Sequence, residues 1–129
     1  MIDINPKISH QQTIVDAIEL RGIGLHSGKE VEIKLKPAEI DNGIKFIRTD
    51  KNSNNIIEAV WSNVSETILS TTISNESGLK ISTIEHLMSA LSGLHVDNLN
   101  IEINAPEVPI MDGSSKPFVE IIEKIGIKI

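Results

Sequence analysis

The sequence predicts an α+β fold, a two-layer sandwich in which two helices cover one face of a mixed or antiparallel β-sheet. Three observations carry that prediction. Short apolar segments alternate with polar residues at strand spacing, two later segments show helical spacing, and the order runs several strands, helix, strand, helix. At 129 residues and 40% hydrophobic, the chain is long enough to bury one real core.

Residues 1–12 are polar and interrupted by Pro6, and read as a loose arm ahead of a domain over 13–129. From Thr13 the pattern is β-like, through Ile14, Ala17, Ile18 and Leu20, up to the Gly-rich run Gly22-Ile23-Gly24-Leu25-His26-Ser27-Gly28. Val31, Ile33 and Leu35 alternate with Glu32, Lys34 and Lys36, a half-buried strand closed by Pro37. Asp41-Asn42-Gly43 signals a turn into a strand over Ile44–Ile47. Two more strands are predicted over Ile56–Trp61 and Leu69–Ile73, with a turn over Asn75–Gly78.

The strongest helix signal runs from about Ser82 to Leu94, where Ile84, Leu87, Met88, Leu91 and Leu94 share one face. Ser82-Thr83-Ile84-Glu85 matches a capping box at its start. Leu99, Ile101 and Ile103 alternate as a further strand, and a loop with Pro106 and Pro109 leads to Asp112-Gly113-Ser114. Pro117, Phe118, Ile121, Ile122 and Ile125 outline the last helix, which Gly126 stops. Ile127-Lys128-Ile129 reads as the start of a strand or linker, which predicts a chain that continues.

Composition excludes several classes. The net charge of −6 argues against a phosphate-backbone binder, which clusters Lys and Arg. With no cysteine there are no disulfides or thiolate metal sites, which leaves His, Asp and Glu as ligands. No apolar run approaches the ~20 residues of a membrane span, and Met1–Pro6 lacks the pattern of a signal peptide. A cytoplasmic domain is the default expectation.

There are four histidines, His10, His26, His86 and His95. His10 lies in the arm, and His95 reads as a packing or C-terminal residue of the first helix. Glu85 and His86 flank the apolar stripe of that helix, so the core needs neither side chain. Both fall in its first turn, where the positive end of the dipole suits a neutral ring free to bind metal. A carboxylate beside such a ligand is the base that metal-assisted hydrolysis requires. A capping-box Glu, which usually does nothing more than cap, also explains Glu85, and the residues alone leave both readings open.

Ile81-Ser82-Thr83-Ile84-Glu85-His86-Leu87-Met88-Ser89-Ala90-Leu91 resembles the helix start of the zinc-dependent UDP-3-O-acyl-N-acetylglucosamine deacetylases, hydrolases that commit Gram-negative bacteria to lipid A and hence lipopolysaccharide. Four other segments match in the same order: Gly22–Gly28, Ile47-Arg48-Thr49-Asp50, Glu66–Thr72 and Asn104–Ser114. The resemblance implies a two-domain enzyme with its active site between the domains, of which 13–129 is the first. It implies that His86 is a zinc ligand and Glu85 the general base. It places Ile68 and Ser70 along the substrate pocket, and Leu25 and His26 near the same cleft. Asp112 holds another motif position, which a turn-forming Asp-Gly before a helix also explains.

The same resemblance assigns the other zinc ligands, an H-x-x-x-D pair, to a second domain, together with a further catalytic histidine, a substrate-binding lysine and the acyl-chain passage. No H-x-x-x-D occurs here, since Ile14, Glu30, Ala90 and Leu99 stand at the fourth position after each histidine. The expected partners are therefore a UDP-linked acylated sugar and the missing C-terminal domain. The isolated domain is expected to be inactive and prone to self-association through the uncovered face. The alternative is a stand-alone binding or regulatory module that keeps the motifs for structural reasons.

Overall fold

Strands whose apolar and charged residues alternate must turn one kind of side chain inward, and here that choice builds a five-stranded mixed sheet. The computed structural model describes residues 10–67 and 70–129. In chain order the strands are β1 (Thr13–Ile14), β2 (Ile18–Ile23), β3 (Glu30–Pro37), β4 (Ile44–Arg48), β5 (Ile56–Glu58), β6 (Val64–Glu66), β7 (Thr72–Ser74) and β8 (Lys80–Ile81). Helix α1 (Glu85–Gly93), β9 (Leu99–Ile103), α2 (Lys116–Ile125) and β10 (Ile127–Lys128) follow. The main sheet has the order β2-β3-β9-β4-β5, antiparallel except for the β4–β9 pair. β6, β7 and β8 form a separate antiparallel sheet, and β1 pairs with β10.

Register turns the alternation into two faces. Ile18, Leu35, Ile101, Phe46 and Ile57 lie side by side across all five strands, and each is buried. They share one core with Leu87, Ala90 and Leu91 of α1 and with Phe118 and Ile122 of α2, which packs against α1. Burying each of these Ile, Leu and Phe side chains contributes roughly 1.5–3 kcal/mol. The opposite face carries ion pairs: Arg21–Glu32 at 3.2 Å, Lys34–Glu19 at 3.5 Å and Lys36–Glu102 at 2.8 Å. The predicted α+β sandwich is therefore the fold observed, with the sheet of the mixed kind.

Four boundaries differ from those predicted. The strand expected over Ile56–Trp61 stops at Glu58, because the Val60 N–H bonds back to the Glu58 carbonyl and a 3₁₀ turn follows at Trp61–Asn63, leaving Trp61 87% exposed. The strand expected from Leu69 is described from Thr72, with Leu69 outside the described residues. β6 was not predicted, since its three residues are all exposed and carry no alternation. Gln11 and Gln12, assigned to the arm, are tied into the fold: the Gln12 N–H donates to Asp97 Oδ2 at 2.8 Å, and Gln11 Oε1 accepts from Asn98 Nδ2 at 2.8 Å. Residues 1–9 of the arm lie outside the description.

The C-terminal ends of the helices follow the predicted chemistry more closely. Gly126, at φ +95°, closes α2, and a Cβ there would sit 3.1 Å from Val15 Cγ2. His95 takes φ +58° just after α1, with its N–H on the Ser92 carbonyl and that of Val96 on Leu91. That pairing is a Schellman motif, so His95 is a helix-terminating residue.

Candidate active site

The capping box encoded by Ser82–Glu85 does not form. The Ser82 N–H donates to the Pro106 carbonyl at 2.8 Å and the Ser82 carbonyl accepts from Val108 at 3.0 Å, a parallel bridge opposite Glu107. A residue held on both sides by that bridge is not free to cap a helix. Thr83 then turns the chain with φ +61°, and α1 begins only at Glu85, with no side-chain cap at Ile84. A β-branched residue in the left-handed region costs about 1–2 kcal/mol. Thr83 is also 3% exposed, and its hydroxyl has no hydrogen-bond partner among the described residues.

Glu85 and His86 consequently open the first turn of α1, both half-buried. Glu85 Oε1 accepts from the Thr71 N–H at 3.3 Å, while the Thr71 carbonyl accepts from the Ile84 N–H at 3.3 Å. Thr72 Oγ1 donates to Ser82 Oγ at 3.0 Å. These bonds lay the segment after Ser70 directly along the helix start, so Ser70 and Glu85 are brought together. Ile68, expected on the same segment, lies outside the described residues.

Leu25 and His26 reach this region through a residue that the sequence reading did not single out. Glu107 is 4% exposed, and its carboxylate accepts from the His26 N–H at 3.0 Å and the Ser27 N–H at 2.9 Å. The turn they occupy closes with the Gly28 N–H on the Gly24 carbonyl at 2.9 Å. Gly24 has to be glycine, since a Cβ there would lie 2.1 Å from Glu107 Oε1. Gly22 packs as closely, with a Cβ position 2.7 Å from that of Pro109. Because Glu107 also faces Ser82 across the bridge, one buried carboxylate couples the Gly-rich turn to the start of α1. Its sequence signal was a lone acid inside the apolar run Pro106–Met111. The side chains of Leu25 and His26 themselves are exposed.

Two other motif acids take part in local hydrogen bonds. Asp50 makes a two-pronged pair with the buried Arg48, at 2.9 and 2.6 Å, and Arg48 Nη1 donates to the Lys80 carbonyl at 2.9 Å, joining β4 to β8. The hydrogen bonds from Arg48 hold the Asp50 carboxyl below its ordinary 3.8. Asp112 Oδ1 accepts from the Ser114 N–H at 2.9 Å and from its hydroxyl at 2.6 Å, the turn that leads into α2. Those two bonds lower the Asp112 pKa, and nothing among the described residues links Asp112 to Glu85 or His86.

No three His, Asp or Glu side chains converge where they could hold a metal ion among the described residues. A catalytic zinc site needs three protein ligands, and His86 offers one, so these residues alone do not fit the ion. No described helix is long and apolar enough to cross a membrane. Nor do Leu25, His26, Ser70, Glu85 or His86 line any of four surface cavities. The largest of these, about 660 Å³, lies among Asn54, Asn55, Asn63 and Asn75 at the far edge of the main sheet. On this face Leu25 and His26 are exposed, and Ser70, Glu85 and His86 are half-buried.

Comparison with known sequences bears on that face. The profile of the UDP-3-O-acyl N-acetylglycosamine deacetylase family matches residues 11–129. A UDP-3-O-acyl-N-acetylglucosamine deacetylase of Shewanella halifaxensis is 48% identical over 92% of this chain and 39% of its own length. One from Hahella chejuensis is 52% identical over 91% of this chain and 38% of its own. The chain thus spans about two-fifths of the length of these curated relatives.

Proposed function

The chain belongs to the UDP-3-O-acyl N-acetylglycosamine deacetylase family, and we propose that it supplies the general base and one zinc ligand of a hydrolase that removes acetate from UDP-3-O-acyl-N-acetylglucosamine. One observation carries the reading: Glu85 and His86 sit together in the first turn of α1, with the Glu85 carboxylate outside any capping box. Glu85 accepts a proton from the water that attacks the amide carbon, and the C–N bond breaks to give acetate and the free amine. His86 would hold zinc through one imidazole nitrogen, and the ion, completed by ligands from elsewhere, would supply Lewis acidity. The remaining ligands come from a second domain, as do the contacts that select the acyl chain. Ile68 and Ser70 line the substrate pocket, and Leu25 and His26 border it. The activity is cytoplasmic and serves lipid A synthesis in a Gram-negative bacterium.

Glu85→Ala in the intact protein tests this. Turnover falls by roughly 10²–10⁴ with zinc content unchanged, the range removed with a general base. A near-normal rate overturns the assignment. The 129-residue chain alone shows no turnover and binds zinc more weakly than micromolar by calorimetry. Ile23 and Leu25, 49% and 55% exposed beside the Gly-rich turn, are covered by the second domain, and by a second copy when it is absent. A stand-alone binding module is favoured only by the single imidazole. A reading frame that continues past Ile129 into an H-x-x-x-D segment excludes it.

A further inference from the structure

The chain encodes two competing starts for α1. In the first, Ser82 caps the helix, Thr83 is its first residue, and Glu85 reaches back to the Ser82 N–H. In the second, which the structure adopts, Ser82 is bridged to the strand-like segment at Glu107 and the helix begins two residues later, at Glu85. The two exclude each other, because the Ser82 N–H serves either Glu85 or the Pro106 carbonyl. What separates them is the backbone of one residue.

Thr83 stands at φ +61°, a conformation for which Gly or Asn is suited and a β-branched residue is not. No hydrogen bond of its own explains that choice: among the described residues its buried hydroxyl is unpartnered and its N–H bonds to nothing. Packing and the bridge therefore hold the turn against the local preference of the residue. Strain of this kind persists where the surroundings over-determine it, and it clusters at functional sites. An unpaired buried polar atom next to the proposed base is a second, independent sign of the same thing.

We propose that Thr83 is a positioning residue, whose left-handed turn denies Glu85 its capping box and leaves the carboxylate beside the Thr71 N–H, where it serves as the base. This rests on the deacetylase reading above. The turn also fixes where His86 lies, since it sets the residue at which the helix begins.

Thr83→Pro tests it. Proline fixes φ near −65° and suits the first position of a helix, so it enforces the capping-box start, and the N–H it lacks is one that bonds to nothing among the described residues. Thr83→Asn keeps the left-handed turn and relieves its strain. In the intact protein the proline variant lowers kcat on the order of 10²-fold with KM within about twofold, the effect of a misplaced catalytic group. The asparagine variant keeps kcat within about threefold. In parallel, NMR of the 129-residue chain follows amide exchange at Ser82 and the backbone coupling at Thr83. The native and Asn chains show a protected Ser82 amide and positive φ, and the proline chain shows a helix that starts at residue 83.

Native kcat in a folded proline variant overturns the proposal, as does an asparagine variant that loses kcat with the turn intact. Should the proline variant not fold, the native chain decides, since a negative φ at Thr83 with a freely exchanging Ser82 amide is equally fatal. Failure of the deacetylase reading is distinguishable, because it shows as native intact protein without turnover beside an unchanged NMR signature.

Discussion

The main sheet and the start of α1 are built on opposite terms. Across β2, β3 and β9 most residues do what their type and spacing favour: Ile18, Val31, Ile33, Leu35, Leu99, Ile101 and Ile103 are buried, while Arg21–Glu32, Lys34–Glu19 and Lys36–Glu102 pair on the other face. At the helix start, local preferences are overruled. A Thr takes a left-handed turn, a Glu is buried, a capping box goes unmade, and a Gly is required because a carboxylate fills the space of its Cβ. Local and global agreement is what makes a sequence foldable, and departures concentrate where function competes with stability. The contrast separates scaffold from site without reference to any relative.

Core truncation should strike the scaffold hardest. Phe46→Ala, in the middle of the main sheet and 0% exposed, is expected to cost about 3–5 kcal/mol in urea unfolding. A loss under 1 kcal/mol would mean that the sheet does not hold the core in this way. Glu107→Ala should cost less, about 1–3 kcal/mol, since it removes the acceptor of the His26 and Ser27 N–H groups. The sharper signature is local: amide exchange should accelerate in residues 24–28 and at Ser82, while β3 and β9 stay protected. Uniform acceleration would contradict a role confined to the site end.

Asp50 gives a smaller, pH-dependent effect. Its folded pKa lies below 3.8 because Arg48 bonds to the carboxylate, so its stabilisation is present above that value and is lost as pH falls through the lower, folded pKa. Asp50→Asn should therefore destabilise at pH 6 and flatten the acid limb of stability below about pH 4, both read by thermal melts. An unchanged acid limb would remove Asp50 from the account. The smallest effect belongs to the outer face. Lys34→Ala, which deletes a 3.5 Å ion pair with two exposed partners, should change stability by less than about 0.5 kcal/mol. A larger loss, abolished by salt, would show that the outer face contributes more than exposed pairs usually do.

How much was legible follows the same division. β3 and β9 were readable because Val31, Ile33 and Leu35, and then Leu99, Ile101 and Ile103, alternate cleanly, and a half-buried strand has no other way to place them. Gly126 was readable as a helix stop because glycine alone takes its conformation without cost. β6 was not, since three exposed residues paired on one edge leave no hydrophobic pattern. Glu107 was not, since burial of a carboxylate depends on N–H groups 80 and 81 positions away in the chain.

The sequence by itself determined the α+β class, the two faces of the sheet and a family likeness that the comparisons confirm. Spacing and residue type suffice for these, because they act within a few residues. Only the tertiary structure decided where α1 begins. The segment Ser82–Glu85 has a good local solution as a capping box, and a bridge to a strand-like segment some 25 residues later in the chain displaced it. Contacts made at that range hold Thr83 against its own preference, and no local pattern records them.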